Sequence, residues 1–281
     1  MSIIFFGNTS YSVIDAKALY NRFGLTAVVT IPDKPIKQNN VIQSPVKLFA
    51  EKHTIPVIEA SKLTADIIEK MRQLQPDFLV IADYRLILPQ TLLDIPKFAP
   101  LNVHHSLLPK YRGTSPVPTA ILNGEKISGV TIIRMNTKID AGDILAQKEY
   151  ILKPDETAES LLTRLNELGG QAVVEVIENF KNITPIRQDT SKATFTSYMT
   201  KQDGYIDLKN PPAQEILDRM TRAYYPWPGV WTFLRMKNKE VRIKFLPENK
   251  IQVAGKKPQT IKDFFNGYPE GKEFLGKIFK N

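Results

Sequence analysis

Asn102, His104 and Asp140 are the residues whose types could act together on one reacting centre. In an extended strand, side chains two apart point the same way, so Asn102 and His104 in Leu101-Asn102-Val103-His104 share a face. Beyond a second apolar run at 130–135 lies Asp140-Ala141-Gly142-Asp143, a glycine-containing loop able to return a carboxylate to the end of the first strand. An amide, an imidazole and a carboxylate at one point suit attack of an amine on a carbonyl carbon. Asn102 and protonated His104 would donate hydrogen bonds to the oxyanion, while Asp140 would stabilise the imidazolium and help relay the proton. His105 points to the opposite face and reads as structural or surface; His53, before Thr54-Ile55-Pro56-Val57, reads as a helix cap. Asp143 could instead bond amides within its own turn. Three His and no Cys, with no repeating ligand spacing, argue against a metal site, and Ser106 lacks the Gly-x-Ser-x-Gly elbow of a hydrolase nucleophile.

Short apolar runs at 3–6, 27–30, 78–82, 101–104 and 130–135 must supply the scaffold. They alternate with stretches at 12–23, 44–52 and 64–74 whose apolar residues recur three and four apart. That alternation predicts an α/β fold: a doubly wound, Rossmann-like, mostly parallel sheet. Ligands bind such sheets at the carboxyl ends of the strands, where Asn102 and His104 would project. Pro154-Asp155-Glu156-Thr157 should open a helix that runs to Gly169-Gly170, with another helix continuing to Asn179. These signals divide the chain into a catalytic domain at 1–183, a polar, Thr-rich linker at 184–200, and a basic C-terminal module at 201–281. In that module 213–225 reads as a helix and 230–234, 241–245 and 251–254 as short strands, a small α+β or barrel-like unit.

The 281 residues, 42% hydrophobic and 24% charged, exclude fibrous and disordered classes. The absence of Cys excludes a disulfide framework and a thiol nucleophile. The opening apolar run is too short for a signal peptide or a membrane span, so cytoplasmic location is expected. From Lys201 onward 16 Lys and Arg stand against 9 Asp and Glu, which places +7 of the formal +9 in the tail. A basic tail on a near-neutral body suits a phosphate-rich partner, although solvated surface would look the same.

The stretch Asn102-Val103-His104-His105-Ser106-Leu107-Leu108-Pro109-Lys110-Tyr111-Arg112-Gly113 resembles the Asn-x-His-x-Ser-Leu-Leu-Pro signature of the 10-formyltetrahydrofolate-dependent formyltransferases. Asp140-Ala141-Gly142-Asp143-Ile144 resembles that family's Asp-x-Gly-Asp loop, and the resemblance extends over most of the chain. It implies that Asn102, His104 and Asp140 are the catalytic trio, that Ser106, Leu107, Leu108 and Pro109 help hold the folate, and that the loop ending at Asp143 borders the pterin. Tyr84-Arg85-Leu86-Ile87-Leu88-Pro89 is similar to the family's Tyr-Gly-x-Ile-Leu-Pro strand end, with Arg85 in place of Gly. By that likeness the backbone of Tyr84, Arg85, Leu86 and Leu88 reads the pterin; on residue type alone Leu86, Ile87 and Leu88 read as core. The co-substrate implied is 10-formyltetrahydrofolate, with no metal.

Ile31-Pro32-Asp33-Lys34-Pro35 with Ser44-Pro45-Val46-Lys47, Tyr224-Tyr225-Pro226-Trp227-Pro228-Gly229, and Gly255-Lys256-Lys257-Pro258 are similar to members that act on transfer RNA. The implied acceptor is initiator methionyl-tRNA, its phosphates gripped by the tail. Two departures stand out. Loop 36–43 carries one Lys where such members show Arg-Gly-Lys-Lys, and the tail has room only for a truncated, OB-like module. Pro226-Trp227-Pro228 reads as interdomain packing. Rival readings remain open: formylation of an amino sugar on a nucleotide, hydrolysis of the formyl folate, and a catalytically impaired nucleic-acid-binding relative. No signal of assembly is present, and a monomer is expected.

Overall fold

In a computed structural model, which describes residues 1–35, 41–236, 239–276 and 279, the apolar runs become strands of one seven-stranded sheet. Its strands are β1 (Ile3–Phe6), β2 (Ala27–Thr30), β3 (Val57–Glu59), β4 (Phe78–Ile81), β5 (Ala99–His104), β6 (Ile127–Arg134) and β7 (Asp143–Ile151). The spatial order is β7-β6-β5-β4-β1-β2-β3. All pairs from β5 to β3 are parallel, and β6 runs antiparallel to β5. The mostly parallel, doubly wound fold expected from the sequence is therefore present.

Period-two alternation explains why these runs are apolar throughout. Ile3 and Phe5 face one side, packing with Ala16 and Leu19 of α1 (Ser12–Phe23), Val46 and Ala50 of α2 (Pro45–Lys52), and Val173 and Val176 farther along the chain. Ile4 and Phe6 face the other side, against Ile68 and Met71 of α3 (Ala65–Gln73) and Leu92 and Leu93 of α4 (Gln90–Leu93). A sheet covered on both faces needs unbroken runs, and each fully buried Ile or Phe contributes about 1.5–3 kcal/mol. From β1 the chain winds outward to β2 and β3, then crosses back to β4 and β5. The switch point lies between β1 and β4, and the carboxyl ends of β4 and β5 open beside it.

Two compact units emerge, and neither is one continuous stretch. The first comprises 1–113, 128–150 and 162–195; the second comprises 114–127, 151–161 and 196–281. Residues 184–195, read from the sequence as part of a linker, are bonded into the first unit: Ile186 pairs with Ile144, each N–H donating to the other's carbonyl at 2.8 Å.

The expected break at Gly169-Gly170 does not occur. A single helix, following α5 (Pro116–Leu122) and termed α6, runs from Ala158 to Asn179. The glycines serve packing: a Cβ on Gly169 would lie 2.6 Å from Val103 Cγ1, and one on Gly170 would lie 2.9 Å from Ala18 Cβ.

The second unit holds a four-stranded antiparallel sheet of β8 (Val230–Met236), β9 (Lys239–Leu246), β10 (Lys250–Val253) and β11 (Gln259–Thr260), with α7 (Gln214–Ala223), α8 (Ile261–Gly267) and α9 (Pro269–Leu275). Val230, Thr232, Leu234 and Met236 are buried while Trp231, Phe233 and Arg235 face outward, the alternation of a sheet covered on one side. Trp227, expected to pack, is 57% exposed.

Candidate active site

The carboxyl end of β5 carries Asn102 and His104, with Asn102 opposite Ile81 on β4 and Ile133 on β6. The sheet ladder fixes both backbones, so little freedom remains in where the two side chains begin. Asp140 comes from the loop between β6 and β7. Its φ of +48° is a left-handed conformation that a non-glycine residue keeps only when its surroundings hold it. Gly142 explains the close approach of that loop to β6: a Cβ there would sit 1.9 Å from the Arg134 carbonyl oxygen.

The three residues meet. Asn102 Nδ2 donates to Asp140 Oδ1 at 3.3 Å, the Gly113 N–H donates to Asp140 Oδ2 at 2.8 Å, and His104 Nδ1 lies 3.6 Å from Oδ2. His104 is 5% exposed, and its Nε2 is 2.9 Å from the Tyr111 carbonyl oxygen, so both ring nitrogens face acceptor oxygens. The sequence predicts a His104 that donates to the oxyanion with Asp140 beside it; it gives no sign of the Tyr111 carbonyl at the other nitrogen. Here the ring is bracketed within the protein, and the amide of Asn102 has one hydrogen uncommitted to Asp140.

The other expected residues divide. The loop after β5 is pinned: Ser106 Oγ donates to the Lys110 carbonyl at 2.6 Å, the Leu108 N–H donates to Thr131 Oγ1 at 3.1 Å, and Gln147 Nε2 donates to the Leu108 carbonyl at 2.8 Å. Leu107 and Pro109 are half-buried within that loop. Along 84–88 only Leu88 is core; Leu86 is half-buried, Arg85 is exposed, and Ile87, read as core, is 81% exposed. The Tyr84 ring packs edge-on against Phe6 at 5.3 Å, and burial pushes its phenol up to about 12. Asp143 opens β7 and is exposed, and among the described residues it makes no hydrogen bond or ion pair with the trio. His105 is structural, 4% exposed, with Nδ1 3.6 Å from Asp83 Oδ1. Burial pushes its imidazole below the ordinary value against the pull of Asp83, and His104 lowers it further. His53 caps α2 and lies against Tyr20 and Phe49. Of loop 36–43, residues 36–40 lie outside the described residues.

Sequence reasoning missed Gln188. Its Oε1 accepts from Arg112 Nε at 3.1 Å and Nη2 at 2.7 Å, and its Nε2 donates to the carbonyls of Asp140 at 2.8 Å and Gly142 at 2.7 Å. The structure gives the reason for the pairing: the Arg112 guanidinium is buried to 4% exposure and requires an acceptor, which nothing in Lys110-Tyr111-Arg112-Gly113-Thr114 announces.

Known proteins resemble this chain in sequence and in fold. The family described as Formyl transferase matches residues 1–177, more than half of the chain, and Formyl transferase, C-terminal domain, matches residues 198–250. A methionyl-tRNA formyltransferase of Chloroflexus aggregans is 42% identical over 240 residues, 84% of this chain and 77% of that protein. Among solved structures, a methionyl-tRNA formyltransferase from Clostridium thermocellum superposes with a TM-score of 0.64 at 18% identity, covering 93% of this chain and 99% of that one. A sugar N-formyltransferase from a Shewanella species gives 0.67 at 20% identity, covering 88% and 98%. At such identities the two structures speak for the fold, which both kinds of enzyme share. The fold, the paired motifs and the matches along the chain agree: the chain belongs to the formyl transferase family.

Proposed function

We propose that this chain transfers the formyl group of 10-formyltetrahydrofolate to the α-amino group of methionyl-tRNA, the step that prepares an initiator tRNA for translation in the cytoplasm. One observation carries the chemistry: the Asn102 amide and the His104 ring lie 3.3 and 3.6 Å from the two oxygens of the Asp140 carboxylate. The choice of acceptor is supported by the 42% identity, over 84% of this chain, to an enzyme named for methionyl-tRNA.

In this reading the neutral amine attacks the formyl carbon, and charge gathers on the carbonyl oxygen. Asn102 offers that oxygen its free amide hydrogen. The 3.6 Å between His104 Nδ1 and Asp140 exceeds a hydrogen bond, which leaves the Nδ1 proton open to an oxygen arriving beside Asn102. Asp140 steadies the positive ring and passes the proton shed by the amine to the folate nitrogen as the bond from carbon to that nitrogen breaks. The products are a formamide and tetrahydrofolate. Ser106, Leu107, Leu108 and Pro109, the backbone of Tyr84, Arg85, Leu86 and Leu88, and Asp143 are the proposed folate contacts. The buried Tyr84 hydroxyl, without a hydrogen-bond partner among the described residues, fits a polar heterocycle nearby.

The test offers labelled formyl donor with methionyl-tRNA and, separately, an amino-sugar nucleotide. Label should enter the RNA-borne methionine, and His104→Ala should lower turnover about a hundredfold to a thousandfold with an unchanged circular dichroism spectrum. Label in the sugar alone, or full turnover in the variant, would overturn the reading.

A further inference from the structure

We propose that Gln188 is a positioning residue for formyl transfer: anchored on Arg112, it holds the backbone of residues 140–142 so that the Asp140 carboxylate faces Asn102 and His104. The inference rests on the role given to Asp140 above.

A side-chain amide presents one acceptor oxygen and two donor hydrogens, and Gln188 uses them all. The oxygen receives the fork of Arg112 at 3.1 and 2.7 Å; the two hydrogens go to the carbonyls of Asp140 and Gly142 at 2.8 and 2.7 Å. Gln188 is 6% exposed and Arg112 4%, so water cannot stand in for either. The φ of Asp140 decides where its Cβ, and hence its carboxylate, points. Tying both carbonyls to one amide restrains the backbone on the carboxyl side of Asp140, in a turn where its φ is +48°. From the other side the loop presses on the Arg134 carbonyl, where only glycine fits at 142.

Gln188 is itself fixed by the chain around it. Ile186 is paired with Ile144, and eight residues later Thr194 accepts from the Arg112 N–H at 2.9 Å and donates its own N–H to Pro109 at 3.3 Å. Thr194 Oγ1 also accepts from the Tyr111 N–H at 2.8 Å, and Tyr111 supplies the carbonyl that meets His104 Nε2. Residues 186–194 thus lace together the two loops that hold the ring and the carboxylate.

No other residue type reproduces this. Glu would keep Arg112 but turn lone pairs toward two carbonyls. Asn is one methylene too short. An apolar residue would take the donor from the carbonyls of Asp140 and Gly142 and one acceptor from the Arg112 guanidinium. The expected loss is in rate rather than substrate affinity, since a displacement of about 1 Å in a reacting group costs on the order of a hundredfold.

The experiment is a double-mutant cycle of Gln188→Glu and Asp140→Asn, with kcat and KM for both substrates and the melting temperature of each variant. Gln188→Glu should lower kcat roughly ten- to a hundredfold, with KM values within about twofold, and should melt lower than the parent while remaining folded at the assay temperature by circular dichroism. The double variant should be no slower than Asp140→Asn alone. Should Gln188→Glu fail to fold, Gln188→Asn takes its place in the cycle with the same expectation. If Asp140→Asn alone keeps full turnover, the role of Asp140 falls. If Asp140→Asn is slow but the losses multiply, or the Gln188 variant keeps its kcat, the Gln188 inference falls and the reading of the trio stands.

Discussion

Asp15 is the residue whose surroundings suit its charge least. It is fully buried on α1, and neither carboxylate oxygen has a hydrogen-bond partner among the described residues. Burial, then the nearby Asp83, raise its carboxyl well above the ordinary 3.8. The folded state therefore binds this proton more tightly than the unfolded chain does. Its contribution to stability is complete below about 3.8 and is lost as pH rises through the elevated folded value. Asp15→Asn keeps the shape and removes the titration. The variant's stability relative to the parent should rise steadily from pH 4 toward neutrality, as read by urea unfolding at several pH values. A difference that stays flat across that range would show that Asp15 does not titrate in the fold. The same accounting explains why His105 contributes shape rather than chemistry: it is buried, held beside Asp83, and disfavoured as a cation.

At the scale of elements, Gly169 in α6 sets two rules against each other. Replacing a mid-helix glycine by alanine ordinarily stabilises by about 0.5–1 kcal/mol. Here the new methyl would lie 2.6 Å from Val103, between Asn102 and His104 on β5, and 3.1 Å from Asp15. Overpacking of this kind costs about 1–3 kcal/mol, so Gly169→Ala should destabilise, and a higher denaturant midpoint would refute the packing account. The sequence showed the glycine pair but not its meaning, because a notch and a break are written with the same residues. The five apolar strands were legible since both faces are covered, which leaves polar residues at few positions, chiefly toward strand ends such as Asn102 and His104. β3 has only three residues, and β7 alternates toward solvent, so neither offers a continuous run. Asn102, His104 and Asp140 were legible as a spaced set of reactive types, whereas Gln188 was not. Its partners lie 46 to 76 residues away, and a neutral amide among Thr and Ser leaves no local trace of so distant a pairing.

For the molecule as a whole, charge is concentrated where the second sheet lies. Lys244 on β9 and Lys256 and Lys257 beyond β10 are exposed. If this module grips RNA phosphates, log affinity for methionyl-tRNA should fall linearly with log salt. Changing all three to Gln should then flatten the slope by about 0.7–0.9 for each phosphate no longer neutralised, with KM for the folate unmoved. Filter binding across a salt series measures this, and an unaltered slope would assign the grip elsewhere. The lacing at 186–194 has a different consequence, one of timing. It follows every loop it secures in the order of synthesis, so Asp140 gains its hold only after all seven strands of the first sheet have been made. A chain ending just short of Gln188 would contain every strand of the first sheet yet lack the donor shared by the carbonyls of Asp140 and Gly142.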